Sequence, residues 1–451
     1  MLPSTDGSSV LSRIEHRSFP RAPRTVEETG LPFLFLVELA VKVLFLRGQL
    51  RLVELAGHLK LTISVLDRVI SFMRAEKLCD VSRTGTSGTD ADLTYRLTEL
   101  GRARGAECAA RNAYAGPAPV TLAAYSERVQ AQSVSEMRIS HDDIVEEYGD
   151  IVVDPAILAQ FGASMNSGRA LFIHGPAGCG KTYLAKRLAG LLKGHICVPH
   201  AVLVDGEIVQ LHDPVMHPAV EGADEPTDHY HSRMQADARW VLSERPAVLT
   251  GGELTLDMLD LRFDAATRYY QAPPHLKANN GIFIIDDLGR QRCSPVELMN
   301  RWIVPMDRRV DYLSLHTGHK FQVPFDVVVV FSSNLPPHTL ADGAFLRRLG
   351  YKIEVGALSE AQYQQVFMQV CDQYGVPFSL DAFHYLLQEH HYKLGQPLLA
   401  CYPRDIVAQL RDRATYEGRA PSIDPAQLDW AWNNYFAGAS NVEPVHAGRA
   451  A

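Results

Sequence analysis

The chain has 451 residues, which at roughly 100–200 residues per domain leaves room for two to four domains. Hydrophobic residues make up 46% and charged residues 21%, globular proportions that exclude a disordered or fibrous chain. Lys+Arg 44 against Asp+Glu 52 leaves a net charge of −8, which excludes a chain coated in basic charge for non-specific nucleic-acid binding. That charge is uneven: residues 1–110 carry 15 basic and 13 acidic side chains, the remainder 29 and 39. Seven cysteines, Cys79, Cys108, Cys179, Cys197, Cys293, Cys371 and Cys401, are scattered without a C-x-x-C pair. That pattern fits a reducing cytosol better than a disulfide scaffold or a structural zinc site. Met1–Val10 lacks a basic start followed by an apolar core, so no secretory signal is expected. The most apolar stretch, Leu31–Leu46, carries Glu38 and Lys42 and is short for a bilayer span, so a soluble, cytoplasmic protein is expected.

In chain order, residues 1–30 are polar and broken by Pro20 and Pro23, and read as a flexible arm. Pro32–Leu46 reads as a buried helix, Leu50–Leu59 as a short helix, and Ile63–Glu76 as an amphipathic helix with Val65, Leu66, Val69, Ile70 and Met73 on one side. A strand over Lys77–Ser82, a Gly/Ser/Thr loop over Arg83–Asp90, a strand over Leu93–Leu97 and a helix opening at Thr98 follow. Helix, helix, helix, hairpin, helix is the order of a winged helix-turn-helix, and Leu93–Arg102 resembles the wing strand and following helix of that family. That domain is assigned to 31–110. Residues 111–150 read as an ordered connector. From 151 to 356 strands and helices alternate, as a parallel α/β sheet with crossover helices requires. Residues 357–436 carry helical periods only and read as a helical lid, and 437–451 as a disordered tail.

Leu171–His174 is an apolar run followed by Gly175-Pro176-Ala177-Gly178-Cys179-Gly180-Lys181-Thr182 and the helical Tyr183–Leu192. This is G-x-x-x-x-G-K-[ST] in a strand–loop–helix context, the pattern of a phosphate-binding loop. Its glycines let successive backbone N–H groups turn inward around a phosphate, and the helix start adds partial positive charge. Gly175 through Tyr183 are the expected ATP contacts. Lys181 would reach the β- and γ-phosphates and Thr182 would hold Mg²⁺.

A buried strand, Gly281–Ile285, ends in Asp286-Asp287. Beside the loop it would place Asp286 on the Mg²⁺ shell and Asp287 on the attacking water. A second apolar strand, Val327–Ser333, ends in Asn334, and Asp342–Gly350 carries Arg347-Arg348. Tyr402-Pro403-Arg404-Asp405 opens a helix near the C-terminus. Taken in order over about 155–436, this set resembles the AAA+ ATPases of the P-loop NTPase fold class. The resemblance implies Walker A, Walker B, a sensor 1 at Asn334, an arginine finger at Arg347 or Arg348, and a sensor 2 at Arg404. A finger acting in trans implies a homo-oligomer closed head to tail, with six subunits as the expected ring. Asp287 departs from the glutamate most AAA+ ATPases carry there; its carboxylate sits one methylene further back, which implies slow hydrolysis.

Val310–Leu315 and Lys320–Val323 read as a hairpin, similar to the pre-sensor-1 hairpin of the branch that includes magnesium chelatases and MoxR-type chaperones. His195–Leu211 reads as a second hairpin about Asp205-Gly206. Asp228, His229 and His231, with His212, Asp213 and His217, have metal-ligand residue types, but no trusted zinc spacing; a polar loop with solvated histidines is expected. Tyr269-Tyr270 reads either as a pore contact or as half-buried packing. Gly162–Thr182, Asn279–Gln291 and Asn300–Pro305 together resemble a bacterial group described as predicted chaperone-type ATPases linked to Flp pilus assembly.

Three functions compete. The first is a ring-shaped, ATP-driven enzyme that remodels a protein client, with the winged helix as docking module. The second is a DNA-binding regulator or loader. The third is a nucleotide-gated scaffold with little hydrolysis. The third helix offers only Arg68, Arg74 and Lys77 against Asp67 and Glu76, thin for phosphate neutralisation, so protein docking is favoured over DNA.

Overall fold

The computed structural model describes residues 19–83, 93–220, 236–340 and 342–436. The N-terminal unit runs α1 (Phe33–Arg47), β1 (Gln49–Arg51), α2 (Leu52–Leu59), α3 (Ile63–Ala75), β2 (Cys79–Arg83), β3 (Leu93–Leu97) and α4 (Glu99–Arg111). Its three strands pair antiparallel in the order β1-β3-β2. α1 is apolar nearly all round because it is central: Leu36, Leu39, Val43 and Leu44 are buried together with Leu55 of α2 and Val65, Val69 and Met73 of α3. α4 starts where Thr98 Oγ accepts a hydrogen bond from Gly101 N at 3.0 Å, a helix cap that the Thr-Glu sequence provides. The loop expected over 83–90 lies, beyond Arg83, outside the described residues.

The arm reading needs correction where it is described. Residues 19–30 are built into the fold: Val26 is buried, the Thr62 hydroxyl donates to the Pro23 carbonyl at 2.7 Å, and Arg68 meets Glu27 at 2.7 Å. Buried Arg239 donates to the Thr29 and Pro119 carbonyls and is ion-paired with Asp237, so one guanidinium joins arm, connector and core. Pro23 and Thr29, the latter ending a single 3-10 turn over Glu27–Thr29, offer the carbonyls that Thr62 and Arg239 take.

The connector contributes β4 (Val120–Thr121), α5 (Leu122–Ala131) and α6 (His141–Tyr148). The core opens with α7 (Pro155–Ser167), β5 (Ala170–His174) and α8 (Lys181–Arg187). The chain then leaves through β6 (His195–Pro199), β7 (Ala201–Val204), β8 (Glu207–Gln210) and β9 (Trp240–Glu244), and rejoins at β10 (Ala247–Thr250). A second excursion, β11 (Arg262–Phe263), β12 (Tyr270–Gln271) and α9 (Pro274–Lys277), precedes β13 (Ile282–Ile285). α10 (Pro295–Arg308), β14 (Val310–Ser314), β15 (Lys320–Pro324), β16 (Val328–Ser333), α11 (Pro337–Leu340), α12 (Gly343–Leu346) and β17 (Leu349–Glu354) complete the core. The lid is α13 (Glu360–Tyr374), α14 (Leu380–Tyr385) continuing into a π-helical turn over Leu386–Tyr392, α15 (Cys401–Tyr416) and α16 (Pro425–Tyr435). The tail 437–451 lies outside the described residues.

The central sheet is parallel throughout, in the order β10-β13-β16-β5-β17. Its inner strands are continuous apolar runs because both faces are covered. Ile282, Ile284, Val328, Val330, Leu171 and Ile173 face the lid side; Phe283, Ile285, Val329, Phe331 and Phe172 face Trp302 and Leu298 of α10. This is a five-stranded parallel α/β sheet followed by an all-helical unit, the fold class the resemblance implied.

Simple alternation across 151–356 does not hold. β4, β7, β8, β12 and β11 form a second, mixed sheet, and β6 pairs antiparallel with β9. Asp205 (φ 48) and Gly206 (φ 80) close the β7–β8 hairpin as expected, both in the left-handed region a two-residue turn demands. The partners of β7 and β8 are distant: β4 of the connector on one side, β12 on the other. The histidine reading also changes. His217 is buried, its Nδ1 meeting Asp213 N at 3.0 Å and its Nε2 the Lys277 carbonyl at 2.8 Å, so it is a packed core group and not solvated. Asp228, His229 and His231 lie outside the described residues, and among the described residues no group of three or more metal-ligand side chains gathers. Tyr270 is buried with its hydroxyl against His316, and Tyr269 stands edge-on to Tyr114 at 5.4 Å, which is packing and not a pore. The β14–β15 hairpin buries Leu313, Leu315, Phe321 and Val323 against the second sheet.

Candidate active site

β5 delivers the phosphate loop at its C-terminal end. Gly175 sits at φ +146, and a Cβ there would lie 2.0 Å from the Val355 carbonyl, so only glycine lets the loop leave the sheet beside the end of β17. Gly178 and Gly180 are also left-handed, at φ +87 and +88, which turns the loop back on itself before α8. Pro176 and Ala177 are exposed at its tip, Cys179 is buried beneath it, and Lys181 is buried at the helix start.

Five of the expected groups converge there. Lys181 Nζ donates to the Pro176 carbonyl at 2.7 Å and to Asn334 Oδ1 at 2.8 Å. Asn334 Nδ2 donates to Asp287 Oδ1 at 3.3 Å. Thr182 Oγ1 donates to Asp286 Oδ2 at 2.7 Å. The side chains at the start of α8 and beyond the ends of β13 and β16 therefore form two contact groups, Lys181–Asn334–Asp287 and Thr182–Asp286, side by side at the C-terminal edge of the sheet, where open α/β sheets bind ligands. Burial lowers the Lys181 amine from its ordinary value, while Asp286 and Asp287 pull it back up. Thr182 and Asp286 together present a hydroxyl and a carboxylate, the hard oxygen donors Mg²⁺ takes, so the residues fit the ion the motif implies.

The acidic strand tip is held from outside the motif. Asp286 N donates to the Thr250 carbonyl on β10 at 2.8 Å, and Leu288 N to the Ser332 carbonyl on β16 at 2.8 Å. Asp287 itself lies at φ +50, a left-handed turn that ends the strand. Gln291 Nε2 donates to the Asp286 carbonyl at 2.9 Å while its Oε1 accepts from Gly289 N at 2.9 Å. Thr250 and Gln291 carry no motif signal; their role comes from strand neighbours and loop closure, which local sequence does not display.

The remaining expected residues lie apart. Tyr183 is exposed on α8, with its ring 5.7 Å from the Arg187 guanidinium. Arg404 lies on the first turn of α15; its Nε meets Asp405 at 3.1 Å and its side chain is 65% exposed. The helix reaches the loop through another residue, Cys401, whose N–H donates to the Gly178 carbonyl at 3.0 Å. Arg347 and Arg348 stand at the opposite end of the sheet. Leu349 pairs with Ala170 at the start of β5, whereas Glu354 pairs with His174 at its end. At about 3.3 Å per residue that places the arginines roughly 15 Å from their own loop. Arg348 is paired with Asp307 at 2.7 Å; Arg347 is exposed, with its Nε on the Gly343 carbonyl. With Arg169 and Arg309 they line a cleft of about 250 Å³.

A family described as a domain of unknown function, DUF8689, matches residues 359–434, the lid. No curated protein matches the chain. Among solved structures the chain is similar to NtrX from Brucella abortus in complex with ADP, at 15% identity and a TM-score of 0.38, covering 62% of this chain and 55% of that one. A second NtrX structure from that organism aligns at 14% identity and a TM-score of 0.39, covering 64% and 56%. A point mutant of RuvB from Thermotoga maritima aligns at 11% identity and a TM-score of 0.36, covering 68% and 73%. The chain thus spans little more than half the length of the NtrX chains it matches. Among the described residues no helix is long and apolar enough to cross a membrane.

Proposed function

We propose that the protein binds ATP with Mg²⁺ and hydrolyses it slowly, as a cytoplasmic AAA+ ring that remodels a protein client. The observation that carries this is the convergence of Lys181, Thr182, Asp286, Asp287 and Asn334 in two adjoining hydrogen-bonded groups at one end of the sheet. Lys181 supplies fixed positive charge for the phosphates, Thr182 and Asp286 hold the ion, and Asp287 with Asn334 orients water. Mg²⁺ supplies neutralisation of developing phosphate charge when bound. Arg347 and Arg348 are too far from their own loop to serve it, which supports a finger in trans and therefore a homo-oligomer, six-membered in this reading. Arg404 and Tyr183 remain as nucleotide contacts in this proposal, Arg404 by swinging from Asp405.

The N-terminal unit is read as a winged helix that docks protein. At the start of its third helix, the part that would enter a DNA groove, Ile63 and Arg68 are exposed, but Arg68, one of the few cations there, is already paired with Glu27 of the arm, and Thr62 binds the Pro23 carbonyl. The same unit shares an apolar cluster with Ala201, Ile208, Leu203 and Tyr269 of the second sheet, so it is fixed to the core. A client in pilus or secretion assembly is the narrower form of the proposal. An Asp287→Asn chain held with ATP should retain its client on purification. Recovery of a defined protein supports remodelling; recovery of DNA, or salt-dependent retention of the chain on duplex DNA, moves the assignment to the regulator or loader.

A further inference from the structure

Two cysteines far apart in sequence, one in the core and one in the lid, are brought to one place. Cys179 lies between Gly178 and Gly180 in the phosphate loop, and Cys401 opens α15 of the lid. The N–H of Cys401 donates to the carbonyl of Gly178, the residue bonded to Cys179, at 3.0 Å. Bond lengths then keep the two Cα atoms within about 7 Å, against the roughly 4.4–6.8 Å that a disulfide spans. Cys401 Sγ lies directly over Gly178: a Cβ on that glycine would be 2.5 Å from the sulfur. No side chain therefore stands on Gly178 to separate the pair. Both cysteines border the same apolar cluster, Cys179 buried and Cys401 half-buried with its sulfur 3.8 Å from the Tyr435 hydroxyl, so Cys401 is the more exposed of the pair. Of the other five, Cys79, Cys108, Cys197 and Cys371 are buried and Cys293 is half-buried.

We propose that Cys179 and Cys401 form a reversible disulfide that ties the phosphate loop to the lid and switches the nucleotide site off. The effect on turnover rests on the ATPase reading; the bond itself does not. The oxidant is a hydroperoxide. The Cys401 sulfur takes one oxygen from hydrogen peroxide to become a sulfenic acid, and the other leaves as water. The Cys179 sulfur then attacks the Cys401 sulfur: the S–S bond forms, the S–O bond breaks, and the hydroxide leaves with the Cys179 proton as a second water. A dithiol returns two electrons and two protons and restores both thiols. Burial raises both thiols above their ordinary value, which keeps the pair reduced until oxidant is abundant. Once closed, the bond holds α15 on the loop and prevents the lid from parting from it during turnover.

The test uses the full chain, treated with hydrogen peroxide, alkylated and digested without reductant. The expected result is a single linked pair of peptides containing Cys179 and Cys401, the other five cysteines alkylated, and an ATP turnover at least tenfold lower that dithiothreitol restores. Cys401→Ser, with Cys401→Ala as a second variant should serine perturb the helix start, should keep its turnover under the same oxidant. Absence of the linked pair in folded chain, a link to another cysteine, or turnover unchanged in chain carrying the link would each overturn the proposal. The link is read by peptide mapping and the nucleotide reading by turnover before oxidation, so the two failures are told apart.

Discussion

At the scale of single residues, charge and reach decide the assignments. Lys181 is held at the loop by two acceptors, the Pro176 carbonyl and Asn334, so its charge stays where phosphates would lie. Arg347 and Arg348 are the reverse case, cations at the far edge of the sheet from their own loop. Replacing both by Ala should leave nucleotide affinity within about twofold and lower turnover by on the order of 10³ or more. Equal turnover in wild type and double variant would place the finger elsewhere. Lys181, Thr182, Asp286 and Asn334 were legible in the sequence because each sits in a local pattern: a glycine loop, or a polar residue ending an apolar run. Gln291 and Thr250 were not. They act on Asp286 only because β10 and the loop after β13 come together in space.

Among elements, the second sheet and the β14–β15 hairpin depend on buried charge. Asp311 on β14 accepts from both terminal nitrogens of Arg301 on α10, each at 2.7 Å, and meets His275 Nε2 of α9 at 2.8 Å. Burial pushes the Asp311 carboxyl up, and the hydrogen bonds from His275 and Arg301 more than offset it, bringing it to about 2. Asp311→Asn leaves Arg301 half-buried without its counter-charge, and should cost about 3 kcal/mol or more of unfolding free energy in urea melts. A loss under about 1 kcal/mol would show that the triad does not hold the hairpin. The hairpin's existence was readable from its alternating residues, and so was the Asp205-Gly206 turn. The mixed sheet that the β7–β8 hairpin joins was not, because a short apolar strand carries no record of its neighbour. The connector strand β4 pairing with β7 is the clearest instance.

For the whole molecule, the packing of histidines sets a pH response. Burial lowers His200, His217 and His391 from 6.5 to about 4 each. Each is neutral in the folded chain and takes a proton on unfolding once pH drops below about 6.5. Stability from keeping them neutral is thus present above pH 6.5 and is lost progressively as pH falls from about 6.5 to about 4. Thermal melts should show Tm nearly level from pH 8 to 7 and falling by several degrees by pH 5. A flat Tm across that window would mean the three rings are solvated in the folded protein. The arm, the connector and the core are joined through Arg239 and a shared apolar cluster, so loss at any one of these points weakens all three.

The claim that the side chains gathered at this end of the sheet grip a triphosphate is tested most directly by calorimetric titration of ATP, with and without Mg²⁺, into the full chain and into Lys181→Ala. The account predicts saturable binding of one nucleotide per chain, stronger with Mg²⁺, and weakened more than tenfold in the variant. Equal affinity in both proteins would contradict it.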